Sequence, residues 1–227
     1  MLLRILFSDA APMEKLQALV FSLIAVCIAM VFHEWAHAFA AYKCGDPSAK
    51  LVGRMSLNPM KHINPIGAVM LLLFGFGWAS PVLINPANFK NKRVGMVVTS
   101  AAGPLMNFLI CFVGMLISVV LSLVQIINGE NFILQNLSMM FEYIYMLNMS
   151  FAVFNLIPLP PLDGSKIVAG FLPLKWQRKY LGLERYSIFI FLALILLLDT
   201  IDFLTPVQIA LFGFFSDIIF RLIGLFL

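Results

Sequence analysis

A chain of 227 residues that is 62% hydrophobic and only 11% charged cannot hide its apolar surface in a soluble core of that size. Lipid must cover it, so the composition describes a multi-pass membrane protein. The formal charge of +4 is small and sits mostly in connecting segments, which reads as membrane orientation and excludes a nucleic-acid footprint.

Cys27, Cys44 and Cys111 are scattered without a CxxC pair, which argues against a disulfide framework and a structural zinc site. The N-terminus makes a poor signal peptide. Arg4 could serve as its basic region, but Asp9 and Glu14 interrupt before an apolar run forms. The first run is therefore expected to be a permanent helix.

That run, Leu16–Tyr42, carries no charge except Glu34. It holds His33-Glu34-Trp35-Ala36-His37, an HExxH motif. Residues four apart stack on one helical face, so His33 and His37 can turn toward one metal ion. Glu34 is offset by one position, as suits a base beside a metal-bound water. Ionisable groups at membrane depth are costly and read as functional.

The next segment, 43–65, holds Lys43, Lys50, Arg54 and Lys61 against Asp46. Beyond the apolar stretch 66–84, segment 85–96 holds Lys90, Lys92 and Arg93. Basic segments mark the cytoplasmic side. Both flanks of 66–84 are basic, so that stretch must return to the side it left. Gly67, Gly75, Gly77 and Pro81 interrupt it. A re-entrant element or hairpin shielded by protein fits both facts.

A second span is expected over Val97–Ile126, punctuated by Gly103-Pro104 and Gly114, and then a connection, 127–140, whose one charge is Glu130. A third span is expected from near Phe141 toward Gly170, broken at Pro158-Leu159-Pro160-Pro161. Segment 171–186 is basic again, through Lys175, Arg178, Lys179 and Arg185 against Glu184. Two apolar runs follow, Tyr186–Leu198 and Val207–Leu227, separated by Asp199, Asp202 and Pro206. They read as two passes or a hairpin.

A catalytic zinc usually takes three protein ligands and a water. The chain's remaining histidine, His62, sits in a basic interfacial loop and reads as a local hydrogen-bonding residue. Asp163 is the better third ligand. It is a carboxylate in an apolar stretch beside prolines that free the backbone to line a cavity. Both metal-bearing spans run from outside to inside, and both approach their cytoplasmic loops within a few turns of these residues. The three groups therefore share a level on the cytoplasmic side of the bilayer centre. Asn58 and Asn64, each before a proline, read as turn formers.

With these residues in hand, the chain resembles the site-2 protease family of intramembrane zinc metalloproteases, and most of all its compact bacterial members without a PDZ domain. The resemblance covers about Leu16 to Gly170. It rests on the HExxH, on Gly53-Arg54-Met55-Ser56-Leu57-Asn58-Pro59 with His62-Ile63-Asn64-Pro65-Ile66-Gly67, and on Pro81-Val82 with Asn85-Pro86. It continues through Ala102-Gly103-Pro104-Leu105-Met106-Asn107 and Pro160-Pro161-Leu162-Asp163-Gly164. Asn64 stands where an aspartate is common, and Ser165 where a glycine is. The resemblance implies His33, His37 and Asp163 as ligands of one Zn2+, Glu34 as catalytic base, and a re-entrant β element within 66–84.

The fold expected is an all-α multi-pass membrane protein forming one metalloprotease domain over 1–227. Its three-helix catalytic core spans about 16–170, and a C-terminal helical region spans about 171–227. The activity expected is cleavage of transmembrane protein substrates in the cell membrane by zinc-activated water, with the active site toward the cytoplasm. Asn107 is a polar side chain in an apolar span. It is a candidate oxyanion donor or substrate contact, with a helix–helix hydrogen bond beside Gly103 as its other role. A metal-ion transporter would need more polar residues lining its spans. An inactive scaffold would show a damaged motif.

Overall fold

Helix α1 runs from Pro12 to Cys44, with Glu14 in its first turn. Pro12 lies in the first turn, where its missing N–H costs nothing. Glu14 reaches back to accept the Ala11 N–H at 3.1 Å. The helix stops at Gly45, whose φ of 111° is left-handed. Gly45 N–H donates to the Tyr42 carbonyl at 3.1 Å and Asp46 N–H to Ala41 at 2.9 Å, closing the C-terminus. These caps carry the helix slightly beyond the expected 16–42 at both ends.

The computed structural model describes residues 9–67, 70, 80–129, 131–200 and 204–225, and among these the chain is helical with no β-sheet. A short helix α2, Ser48–Leu51, follows α1. The two ends of the connection from 45 to 91 meet: Lys90 N–H donates to the Cys44 carbonyl at 3.1 Å. Most of the β element expected within 66–84 lies outside the described residues. At its exit, 80–85 is non-helical chain, fastened first at Ser80. Ser80 N–H donates to the His62 carbonyl at 2.7 Å, and Arg54 Nη1 donates to the Ser80 carbonyl at 3.0 Å.

Helix α3, Lys92–Asn128, is capped by Asn91, whose Oδ1 accepts from the N–H groups of Arg93 and Val94. Helix α4, Phe132–Asn155, is capped in the same way by Asn131. This corrects the third span. It begins at Phe132, nine residues earlier than Phe141, because the Asn131 cap starts the helix at once, and the 127–140 connection shrinks to a few residues. It also ends at Asn155, short of Gly170. The prolines at 158, 160 and 161 supply no N–H, so the chain turns through 156–162 before a separate helix α5, Asp163–Phe171, begins.

Helix α6, Leu174–Leu181, a 3-10 turn, Gly182–Tyr186, and helix α7, Ser187–Thr200, follow in near continuity, and helix α8, Leu204–Gly224, closes the described chain. Among the described residues, five stretches are long and apolar enough to cross a membrane: Pro12–Cys44, Lys92–Asn128, Phe132–Asn155, Leu174–Leu197 and Leu204–Gly224. The two apolar C-terminal runs therefore each belong to a stretch long enough for a full pass.

Helix α3 packs against α1, α4 and α5, and α1 packs against α4. Small residues make these approaches close: Ala25, Ala29, Ala36 and Ala41 are buried on α1, and Gly103 and Gly114 on α3. Helix α8 covers α3 and α4 through Leu211, Phe212 and Phe215 around Cys111 and Met149. Helix α7 places Leu194 against Ile157 and Leu162 beneath the proline turn.

Candidate metal centre

His33 and His37 lie on the buried face of α1, one turn apart. Asp163 reaches them as the first residue of α5, where a carboxylate also suits the helix dipole. Gly164 makes this approach possible. A Cβ there would lie 2.2 Å from the Leu156 carbonyl oxygen, so only glycine lets α5 begin against the turn. Among the described residues, these three form the one cluster of metal-ligating side chains.

Their ligating atoms form a small triangle. His33 Nε2 and His37 Nε2 are 3.0 Å apart. Asp163 Oδ2 is 3.1 Å from the first and 3.0 Å from the second. Ligand atoms about 2.0–2.1 Å from a tetrahedral zinc lie about 3.3 Å from one another, so the triangle is close to the right size. Proton bookkeeping points the same way. His37 Nδ1 faces the Thr99 backbone carbonyl at 2.7 Å, an atom that can only accept, so Nδ1 carries the proton. His33 Nδ1 faces Asn107 Oδ1 at 2.6 Å and donates likewise. Both Nε2 atoms then present lone pairs toward a carboxylate oxygen. With both imidazoles neutral these three acceptors have no donor among them, a gap that a cation fills.

Gly103 on α3 forms the floor of this cradle. A Cβ there would lie 2.5 Å from His37 Nε2 and 2.6 Å from His33 Cε1. Pro104 follows it and has no N–H, so the Ser100 carbonyl beside the site loses its usual helical partner.

Glu34 lines the same cavity as the three ligand candidates, a space of about 890 Å³. Its Oε2 accepts the Val82 N–H at 3.0 Å, so chain from the exit of the 66–84 stretch runs directly past the carboxylate. The cavity continues between the C-terminal end of α4 and helices α7 and α8, where Phe154, Phe191, Ile195 and Gln208 line it.

Asn107 is fully buried behind His33 and is not among the residues lining the cavity. Its Nδ2 donates to the Ala29 carbonyl at 3.1 Å and to Asn148 Oδ1 at 2.8 Å. Its amide hydrogens are thus engaged between helices. His62 lies apart from the cluster, buried in its loop, and bonds the Ser56 carbonyl through Nε2 at 2.7 Å. Asn58 and Asn64 accept from Met60 and Gly67 N–H groups, as turn formers do.

Sequence reasoning missed several participants. The Thr99 carbonyl and the Val82 N–H are backbone groups and carry no sequence signal. Lys166, one turn after Asp163, also lines the cavity, and a lysine in the apolar Asp163–Phe171 stretch was a visible signal. Asn148, a second amide in an apolar span, was another.

The comparisons with known proteins bear on the same chemistry. The sequence model of peptidase family M50 matches residues 117–198, which include Asp163 but not the HExxH. YwhC of Bacillus subtilis, which carries the name "putative zinc metalloprotease", is 38% identical over 183 residues, 81% of this chain and 82% of its own length. MJ0611 of Methanocaldococcus jannaschii, with the same designation, is 26% identical over 177 residues, 77% of this chain and 80% of its own. Rip2 of Mycobacterium tuberculosis, also so designated, is 25% identical over 181 residues, 77% of this chain and 66% of its own. No solved structure matches the chain. The similarity to YwhC runs through four-fifths of both proteins, and the helices, the HExxH and the family match agree with it: the chain belongs to peptidase family M50, the site-2 proteases, and is a multi-pass membrane zinc metalloprotease with Zn2+ as its cofactor.

Proposed function

We propose that this protein is an intramembrane endopeptidase of the cell membrane that cleaves transmembrane protein substrates. In this reading His33, His37 and Asp163 hold the zinc and Glu34 is the general base. One observation carries it: three candidate ligand atoms lie within 3.1 Å of one another, two of them on a helix apolar enough to cross a membrane, beside a carboxylate on the same cavity. The basic residues after α1, before α3 and along α6 support a site facing the cytoplasm.

Zinc, when bound, brings the pKa of its water toward neutrality and polarises the scissile carbonyl. Glu34 takes the proton of the attacking water and passes it to the leaving amine. The Val82 N–H holds one oxygen of Glu34 and leaves the other for that work. The Nδ1–H bonds to Thr99 and Asn107 keep both imidazoles turned toward the metal. A membrane helix conceals its peptide bonds in its own hydrogen bonds, so the scissile segment must unwind. The non-helical chain at 80–85 supports pairing with an unwound substrate in extended form.

The test compares wild type with Glu34→Gln, in detergent, on a transmembrane substrate. Both are expected to bind zinc, with cleavage by the variant slower by about 10²–10⁴-fold. If the wild type binds zinc and cleaves soluble peptides but no transmembrane segment from a broad panel, the intramembrane reading is wrong. Full zinc occupancy in Asp163→Ala would overturn the ligand assignment.

A further inference from the structure

A chain of hydrogen bonds runs behind His33, and its polarity is set from both ends. Asn148 lies on α4, fully buried among apolar neighbours that include Met149 and Ala152. Its Nδ2 donates to the Ile144 carbonyl at 2.8 Å, an atom that can only accept. Its Oδ1 is therefore turned to Asn107 Nδ2, also at 2.8 Å. The second hydrogen of that amide goes to the Ala29 carbonyl on α1, at 3.1 Å. Asn107 Oδ1 is left for His33 Nδ1 at 2.6 Å. That ring nitrogen must then donate, and Nε2 keeps its lone pair for the metal.

Reversing either amide breaks the series. Asn148 reversed would set oxygen against the Ile144 carbonyl and NH2 against NH2 of Asn107. Asn107 reversed would set NH2 against the His33 N–H and oxygen against the Ala29 carbonyl. A pair of asparagines serving helix packing alone needs no direction. This pair has one, and it ends on a candidate ligand.

We propose that Asn148 is a positioning residue of the zinc centre, acting through Asn107 to fix the tautomer and ring plane of His33. The proposal rests on the reading of His33 as a ligand. It gives α4, which carries none of the three ligand candidates, a hold on the metal through Asn107 and His33.

The test uses the full chain in detergent and reads zinc affinity by chelator competition and the visible spectrum of the cobalt-substituted protein. Asn148→Leu keeps the branched shape and removes the acceptor. It is expected to weaken zinc binding by about 10–100-fold and to shift the cobalt bands. Asn148→Asp, as the neutral acid, still donates to Ile144 and accepts from Asn107, so it is expected to stay within about twofold of wild type. Asn107→Leu should already contain the loss, so adding Asn148→Leu to it should change nothing further. Asn136→Leu is the packing control. It breaks a comparable bond between α4 and α1, to Gln17 at 2.9 Å, at the opposite end of α1 from the HExxH, and should leave zinc binding intact.

Unchanged affinity and spectrum in Asn148→Leu overturn the proposal. So does an equal loss in Asn136→Leu, or an additive loss in the double variant. If Asn148→Leu does not fold, tenfold weaker binding by folded Asn148→Asp overturns it. His33→Ala separates the two layers. Full zinc occupancy in that variant defeats the ligand reading itself. Lost occupancy there with an unaffected Asn148→Leu defeats only the role of Asn148.

Discussion

Gly103 carries no side chain where two imidazoles occupy the space a side chain would need. A methyl group there would sit 2.5 Å from His37 Nε2 and 2.6 Å from His33 Cε1, well inside van der Waals contact. Neither ring can withdraw freely, because Thr99 and Asn107 hold them from behind. Gly103→Ala is therefore expected to lower zinc affinity by at least about tenfold, the scale on which displaced ligand geometry acts. Zinc content after dialysis against a weak chelator measures this, alongside helicity as a check on folding. An unchanged zinc content would mean that the rings move aside more easily than their hydrogen bonds suggest. The motif itself was plain in the sequence at this scale. The glycine and proline after it were visible too, but not what pressed against them.

At the scale of elements, Asp46 ties two distant loops together. It is fully buried, and its Oδ1 accepts from Ser48 N–H, Ser48 Oγ and Asn88 Nδ2, while Oδ2 accepts from Asn85 N–H. The loop after α1 is thereby fastened to the segment before α3, which also passes Glu34 at Val82. Burial alone would raise the Asp46 pKa, but the hydrogen bonds from Ser48, Asn88 and Asn85 outweigh it and hold the carboxyl below its ordinary range. A carboxyl with a depressed folded pKa stabilises the fold above its unfolded pKa, about 3.9, and loses that contribution as pH falls through the folded value. Asp46→Ala is expected to cost about 2 kcal/mol, through donors left without their acceptor. Thermal melts in detergent should show a constant gap to wild type between pH 8 and 5, shrinking below about pH 4. A gap that widens on acidification would contradict this account. In the sequence Asp46 was only the one acid in a basic segment. Its four donors come from positions 48, 85 and 88, and no local pattern links those positions.

At the scale of the whole molecule, the C-terminal helices change the character of the site. The core of α1, α3, α4 and α5 brings the ligand candidates together, while α7 and α8 help wall the cavity of about 890 Å³ through Phe191, Ile195, Leu204 and Gln208. Access for a membrane-borne segment would then pass between α4 and these helices. Filling that side with Gln208→Trp is expected to lower cleavage of a transmembrane substrate at least about tenfold, through obstruction of a preformed pocket. Zinc content and cleavage of a short soluble peptide should be retained. Loss of both activities together would place Gln208 in the fold of the site and not at its entrance.

The sequence by itself determined the membrane class, the metal chemistry and the three ligand candidates, because each depends on composition or on spacing along one helix. His33 and His37 needed only the helical repeat, and Asp163 stood out because an unpaired carboxylate is expensive in an apolar run. The third span differs from its expected extent of Phe141 toward Gly170. A cap at Asn131 and prolines at 158, 160 and 161 outweighed mean hydropathy in setting where that helix begins and ends. Only the tertiary structure decided which groups stand behind the ligands. The Thr99 carbonyl, the Val82 N–H and the Asn148–Asn107 pair come from separate helices and loops, so their meeting depends on how those elements pack rather than on any local pattern.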